Sequence, residues 1–150
     1  MVGPSKISQK CRYGLRAIFE LALRHSSEPV KIQDIASAQA IPQRFLEIIL
    51  SELKQGGFVE SRRGSNGGYM LARSADDLTV GEVISFLQGD NRKGEQTVNR
   101  IRQLRGDYVF SRLWKEVSDA ISDVYSTTTF AEMVQEELSQ SRAYVANYAI

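Results

Sequence analysis

The chain carries one cysteine and one histidine in 150 residues. Cys11 has no partner for an internal disulfide, and with His25 it leaves too few soft ligands for a zinc or iron–sulfur site built from one chain. Neither a metal nor another cofactor is therefore expected. No apolar run approaches the roughly 20 residues that span a bilayer, and the opening MVGPSKISQK has no apolar centre of the signal-peptide kind. The expectation is a cytoplasmic protein with no membrane partner. Also missing are a nucleophile with its base, paired carboxylates in a cleft, and a phosphate loop opening a helix. The run GSNGG lies between two strand-like segments, whereas a dinucleotide or P-loop fingerprint must lead into a helix. Catalysis is not expected.

What is present is an uneven charge distribution. Residues 1–75 hold 11 Lys+Arg against 6 Asp+Glu, and residues 76–150 hold 8 against 12, so a net +5 is followed by −4. A basic half joined to an acidic half suits one part that meets a polyanion and another that meets protein or solvent. The basic half also holds the clearest helical patterns. From Ser8 to Arg24, Leu15, Ile18, Phe19 and Ala22 recur at helical spacing, with Leu21 beside them. His25 to Pro29 ends this helix.

Gln33 to Gln39 makes a short second helix, and Pro42 suits the first turn of a third. There Phe45, Ile49 and Leu53, with Leu46 and Leu50, form the apolar side until Gly56-Gly57 stops it. Two helices joined by a short turn, with the small Ala36 where they cross, predict a helix-turn-helix. Phe58–Arg62 and Tyr69–Ala72 then read as a hairpin around Gly64-Ser65-Asn66-Gly67-Gly68. Thr79 to Leu87 is a further amphipathic helix.

Helix-turn-helix followed at once by a hairpin is the winged-helix order. In it the second helix of the pair enters the major groove and the wing reaches phosphates or the adjacent minor groove. The exposed start of that helix is Pro42, Gln43 and Arg44, with Glu47 one turn on. Gln can pair with adenine, Arg with guanine, and Glu can accept from cytosine. In the wing, Arg62 and Arg63 supply fixed charge. Gly64, Gly67 and Gly68 let backbone amides approach phosphate oxygens, and Ser65 and Asn66 add short donors.

In the acidic half, Asp107 to Ser126 sets Phe110, Leu113, Trp114, Val117, Ile121 and Val124 on one stripe opposite Arg112, Glu116, Asp119 and Asp123. A narrow seam on a helix about 30 Å long needs a partner helix, and a second copy of the chain supplies one. Thr129-Phe130-Ala131-Glu132 has capping-box spacing for a last helix through Leu138, with a frayed tail after Ser139. Between the halves, Gln88 to Gly106 is polar, with at most a weak helix from Glu95 to Leu104.

The runs KCRYGLRAIFELAL, IQDIASAQAIPQRFLEIILSELKQGGFVESRRGSNGGYMLAR, LTVGEVISFLQG and LWKEVSDAISDVYSTTTFAEMV together resemble the bacterial winged-helix regulators that include IscR, NsrR, RirA and CymR. The wing R-G-x-x-G-G-Y and the following T-V-G-E-V-I are the most specific parts. The resemblance implies a mainly α fold with a small β-hairpin wing and a long C-terminal dimerisation helix. It also implies a homodimer that binds a palindromic double-stranded DNA operator and acts as a repressor. It places Arg44 and Glu47 at base-reading positions, Arg63 and Gly64 in the wing, and Lys10, Arg12 and Tyr13 near the backbone-contacting start of the first helix. The expected organisation is a DNA-binding domain at 1–89, a variable loop at 90–106, and a dimerisation helix with a C-terminal helix at 107–150.

Many members hold an iron–sulfur cluster through three cysteines between the T-V-G-E-V-I helix and the long helix. Here the interval Gln88 to Arg112 has no Cys and no His, so the chain resembles the cluster-free branch. Control there comes through a small-molecule effector, a regulatory partner protein or a thiol. Cys11, between Lys10 and Arg12, is either a redox switch helped by nearby cations or a small core residue. His25 reads as a cap or surface residue. Trp114, Phe86, Phe110 and Tyr125 either line an effector pocket or belong to core and dimer interface. The alternative to a DNA-reading protein is a protein-interaction module, either a winged helix that binds protein through its wing or a dimeric adaptor using the long helix, with only nonspecific DNA affinity, which the paired wing arginines disfavour.

Overall fold

The protein is described from a computed structural model covering residues 6–89 and 104–148. Among the described residues, six α-helices and one hairpin follow in the order α1 (Gln9–Arg24), α2 (Ile32–Gln39), α3 (Gln43–Gln55), β1 (Val59–Arg62), β2 (Gly68–Leu71), α4 (Val80–Gln88), α5 (Asp107–Thr127) and α6 (Phe130–Tyr148), with a short 3-10 turn at Ala75–Asp77 before α4. This is a winged helix-turn-helix with a long C-terminal helix, as the residue pattern predicts. The expected loop and weak helix lie, up to residue 103, outside the described residues.

Helix α1 runs through the middle and touches α2, α3, α4, α6 and β2. Ser8 starts it by accepting the Cys11 amide at 3.1 Å, which satisfies one of the amides left over at a helix start. Its buried side is Cys11, Gly14, Ala17, Ile18, Leu21 and Ala22, while Leu15 and Phe19 are only half-buried. The true core face is thus rotated from the expected stripe toward small residues. The reason is close approach: a side chain on Gly14 would strike Leu87 of α4.

Pro42 caps α3 from outside and does not form its first turn, and its carbonyl accepts from Phe45 and Leu46 at 3.0 and 3.1 Å. Leu46, Ile49, Leu50 and Leu53 are buried, each contributing about 1.5–3 kcal/mol as an upper estimate. Phe45, expected in that stripe, is 46% exposed. It falls outside the arc that α1 and α2 cover.

The wing is antiparallel, with Val59 opposite Leu71 and Arg62 opposite Gly68. Tyr69 also exchanges two 2.8 Å backbone hydrogen bonds with Val30, so the segment before α2 forms a third, one-residue rung. Thr79 and Glu82 make a complete capping box on α4. Thr129 and Glu132 repeat it on α6, with their reciprocal bonds at 3.0 and 3.2 Å. The two caps are joined back to back, Val80 N–H to the Thr128 carbonyl and Phe130 N–H to the Leu78 carbonyl, each at 3.0 Å. Phe130 is thereby driven fully into the core. The frayed tail expected after Ser139 is instead helix as far as Tyr148.

Candidate nucleic-acid interface

Opposite its buried face, α3 presents Gln43, Arg44, Glu47, Ile48, Ser51 and Gln55 to solvent. Its first turn is internally organised. The Gln43 side-chain amide donates to Glu47 at 3.4 Å, and the Arg44 guanidinium lies over the Phe45 ring, 5.2 Å from its centroid. An arginine resting on an aromatic face keeps its donors free while losing fewer rotamers on binding. Exposure of Phe45 therefore has a purpose that the periodicity hid.

Helix α3 is tied to its neighbours at both flanks. Lys10 of α1 meets Glu52 at 2.7 Å, so its charge is engaged between helices. Lys54 donates to Ser61 of β1 at 2.6 Å and sets the wing against the end of α3. Beneath the turn, buried Glu20 accepts from Arg24 at 2.7 Å and from Gln39 at 2.8 Å, joining α1 to the last residue of α2. Arg16 donates to the same Gln39 at 3.2 Å. Arg12 is exposed and donates to the Ile7 carbonyl at 3.3 Å, while Tyr13 is half-buried against the core.

At the wing tip, Arg62, Arg63, Gly64, Ser65 and Asn66 are exposed. The glycines divide by role. Gly64 has φ +109° and open space around it, so it serves the turn itself. A side chain on Gly67 would meet the Arg62 carbonyl, and one on Gly68 would meet Val30. The Gly67 amide is already used, donating to Gly64 at 3.0 Å. That amide closes the turn at the wing tip.

The Val30–Tyr69 rung brings the start of α2 beside the wing, and between them lies an open, shallow depression of about 520 Å³. Lys31, Gln33, Arg62, Arg63 and Ser65 are among its lining residues. Lys31 and Gln33 were not foreseen, because only this tertiary rung places them next to the wing arginines.

The residues suggested for an effector pocket are not gathered in one place. Phe86 packs on Phe58, with centroids 5.1 Å apart, whereas Phe110 stacks on Trp114 at 6.4 Å, both more than half exposed. Tyr125 packs against the core. A separate cavity of about 630 Å³ lies between the end of α1, β2 and α6, where His25, Arg73, Leu71 and Val134 line it. His25 is the left-handed cap of α1, with φ 38° and its amide on the Leu21 carbonyl.

Cys11 is 0% exposed. Burial pushes its thiol up to about 11, against the smaller opposing pull of Lys10. Burial thus disfavours the thiolate that a redox switch would need.

On α5, Phe110, Leu113, Trp114, Val117 and Val124 are 44–63% exposed, and Ile121 is half-buried. Not one residue of this 21-residue helix is buried. The opposite face is held by ion pairs, Arg112 to Glu116 at 3.0 Å and Lys115 to Asp119 at 2.6 Å.

Comparison with known proteins decides the family. The family model Rrf2, described as "Iron-dependent Transcriptional regulator", matches residues 7–136. The chain belongs to the Rrf2 family. It is 32% identical over 141 residues to the HTH-type transcriptional regulator CymR of Bacillus subtilis, covering 93% of this chain and 97% of that one. To the HTH-type transcriptional regulator IscR of Pectobacterium carotovorum it is 33% identical over 133 residues, covering 88% and 80%. The solved structure of CymR (YrzC), the global cysteine regulator of B. subtilis, superposes with a TM-score of 0.73 at 32% identity, covering 91% of this chain and 98% of that one. This Rrf2-family chain is thus a DNA-binding transcriptional regulator. Its relatives' names point to a non-enzymatic role. No helix among the described residues is long and apolar enough to cross a membrane.

Proposed function

We propose that the chain is a homodimeric repressor that reads a palindromic operator in the cytoplasm, with α3 in the major groove and the wing on the flanking backbone, and without an iron–sulfur cluster. The observation that carries this reading is the presence in one chain of two unsatisfied surfaces of opposite character. One is the charged tip formed by α3, Lys31 and the wing. The other is the exposed apolar seam of α5, which suits a second copy because a two-fold axis lets the same stripe cover itself. Arg44 and Glu47 read base edges, while Lys31, Arg62 and Arg63 hold phosphates or the minor groove.

The family's description as iron-dependent meets a donor set that does not fit a cluster. The single thiol is buried in α1, and the Gln88–Arg112 interval supplies none. The signal then comes from a small molecule or a partner protein.

Selection of bound duplexes from a random pool, with affinity measured across salt concentration, tests this. The expected result is an enriched palindrome with half-site centres about one helical turn or a multiple apart. Arg63→Ala then weakens binding by about 1–3 kcal/mol if it reaches a base edge. Weak binding with no enriched motif, lost as salt rises, would overturn the reading in favour of nonspecific phosphate contact. A chromophore with stoichiometric iron in protein made anaerobically with iron and sulfide would overturn the cluster-free part.

A further inference from the structure

Ile48 is a large aliphatic side chain in the middle of the polar face of α3, and it is 57% exposed. It stands one turn beyond Arg44 and directly opposite the buried row of Leu46, Ile49, Leu50 and Leu53. The other exposed apolar side chain of this helix, Phe45, is occupied beneath the Arg44 guanidinium. Ile48 has no such use.

Its surroundings choose its partner. Arg44 on the same face and the exposed wing arginines make this a surface suited to a polyanion. An apolar protein surface docking here would bury those charges without counter-ions. The major-groove floor, by contrast, offers one apolar feature among hydrogen-bonding edges, the C5-methyl group of thymine. A β-branched side chain, stiff about its first torsion, meets a methyl with little loss of freedom.

We propose that Ile48 reads the C5-methyl group of a thymine in each half-site of the operator. The inference rests on the reading that α3 enters the major groove, and it deepens that reading by naming a base and the atom recognised. Arg44 and Glu47 then discriminate by hydrogen bonds, and Ile48 by apolar contact.

The test replaces each thymine of the selected operator, one position at a time, by deoxyuridine, which lacks the methyl and keeps every hydrogen-bonding group. Loss of one buried methyl is expected to weaken binding roughly fourfold per half-site at one position. Ile48→Ala binds the thymine and deoxyuridine duplexes equally, Ile48→Val keeps most of the preference, and Arg44→Ala retains it at lower affinity. Ile48 is solvent-facing, so these variants fold. An enriched motif at which every deoxyuridine is neutral, or an Ile48→Ala protein with the full deoxyuridine penalty, overturns this inference and leaves the DNA-reading function standing. A pool that yields no motif overturns both.

Discussion

Helices α3 and α5 have the same kind of sequence and opposite fates. Both are amphipathic, with an apolar stripe at helical spacing. In α3 that stripe, Leu46, Ile49, Leu50 and Leu53, is buried by the chain itself. In α5 the equivalent stripe ends in solvent, with Trp114 63% exposed. The difference lies in the neighbours. Helix α3 is crossed by α1 and α2, whereas α5 touches the body chiefly through α4. Its C-terminal end is pinned there, where Gly81 lets α4 approach the backbone at Tyr125 and Ser126. Amphipathicity states that a face needs cover; it does not name what covers it.

Four changes would break or sharpen this contrast. The largest effect is expected in the self-covered stripe. Leu50→Ala leaves a cavity among residues that cannot collapse freely and should lower unfolding free energy by about 2–5 kcal/mol. Chemical denaturation of the protomer checks it, and a loss below 1 kcal/mol would mean that α3 packs more loosely than described.

Trp114→Glu comes next. It should leave protomer folding nearly unchanged while weakening dimerisation by about 2 kcal/mol or more, as loss of a central aromatic does. Sedimentation across concentration reads the shift, and the dependence of melting temperature on protein concentration should vanish. A stable dimer in the variant would move the interface off this seam.

A smaller effect belongs to the caps that hold α4 and α6 together. Thr79→Ala removes the hydroxyl that accepts the Glu82 amide at 3.3 Å and should cost about 1 kcal/mol. Thermal melts would show it, and an unchanged midpoint would assign the junction to the paired backbone rungs alone.

The smallest is a pH effect at the same cap. Glu82 is held below its ordinary 4.5, first by the Thr79 backbone hydrogen bond and then by Arg73. A carboxylate depressed in the folded state adds stability that is complete well above the unfolded pKa and fades as pH falls through the folded one. Parent and Glu82→Gln should therefore differ most near neutrality and converge below about 4.5. A constant gap across that range would show that the charge contributes nothing.

Much of the candidate nucleic-acid surface was legible along the chain. Gln43, Arg44 and Glu47 are exposed on α3, and the wing arginines stand at the hairpin tip, because local periodicity and turn chemistry settle those orientations. Less legible were features that depend on contacts distant in sequence. The spacing of Phe45 matches Ile49 and Leu53 and so predicts a place on the apolar side, but Phe45 is exposed beside the buried Leu46, Ile49, Leu50 and Leu53. Lys31 comes beside the wing because its neighbour Val30 forms a backbone rung with Tyr69, far along the chain. Cys11 was ambiguous between reactive and inert, since flanking cations and burial push a thiol in opposite directions, and burial wins here.

Composition and order alone determined the class of this protein. One cysteine and one histidine are too few soft ligands for the usual cluster set, and helix, turn, helix and arginine-tipped hairpin in succession specify a winged helix. Those are properties of residue type and of spacing over a few turns, which local physics reads directly. Which apolar stripe would be buried by the chain and which left open was decided only in three dimensions. Burial depends on the relative placement of whole helices, and that is set by close contacts such as Gly14 against Leu87 and Gly68 against Val30.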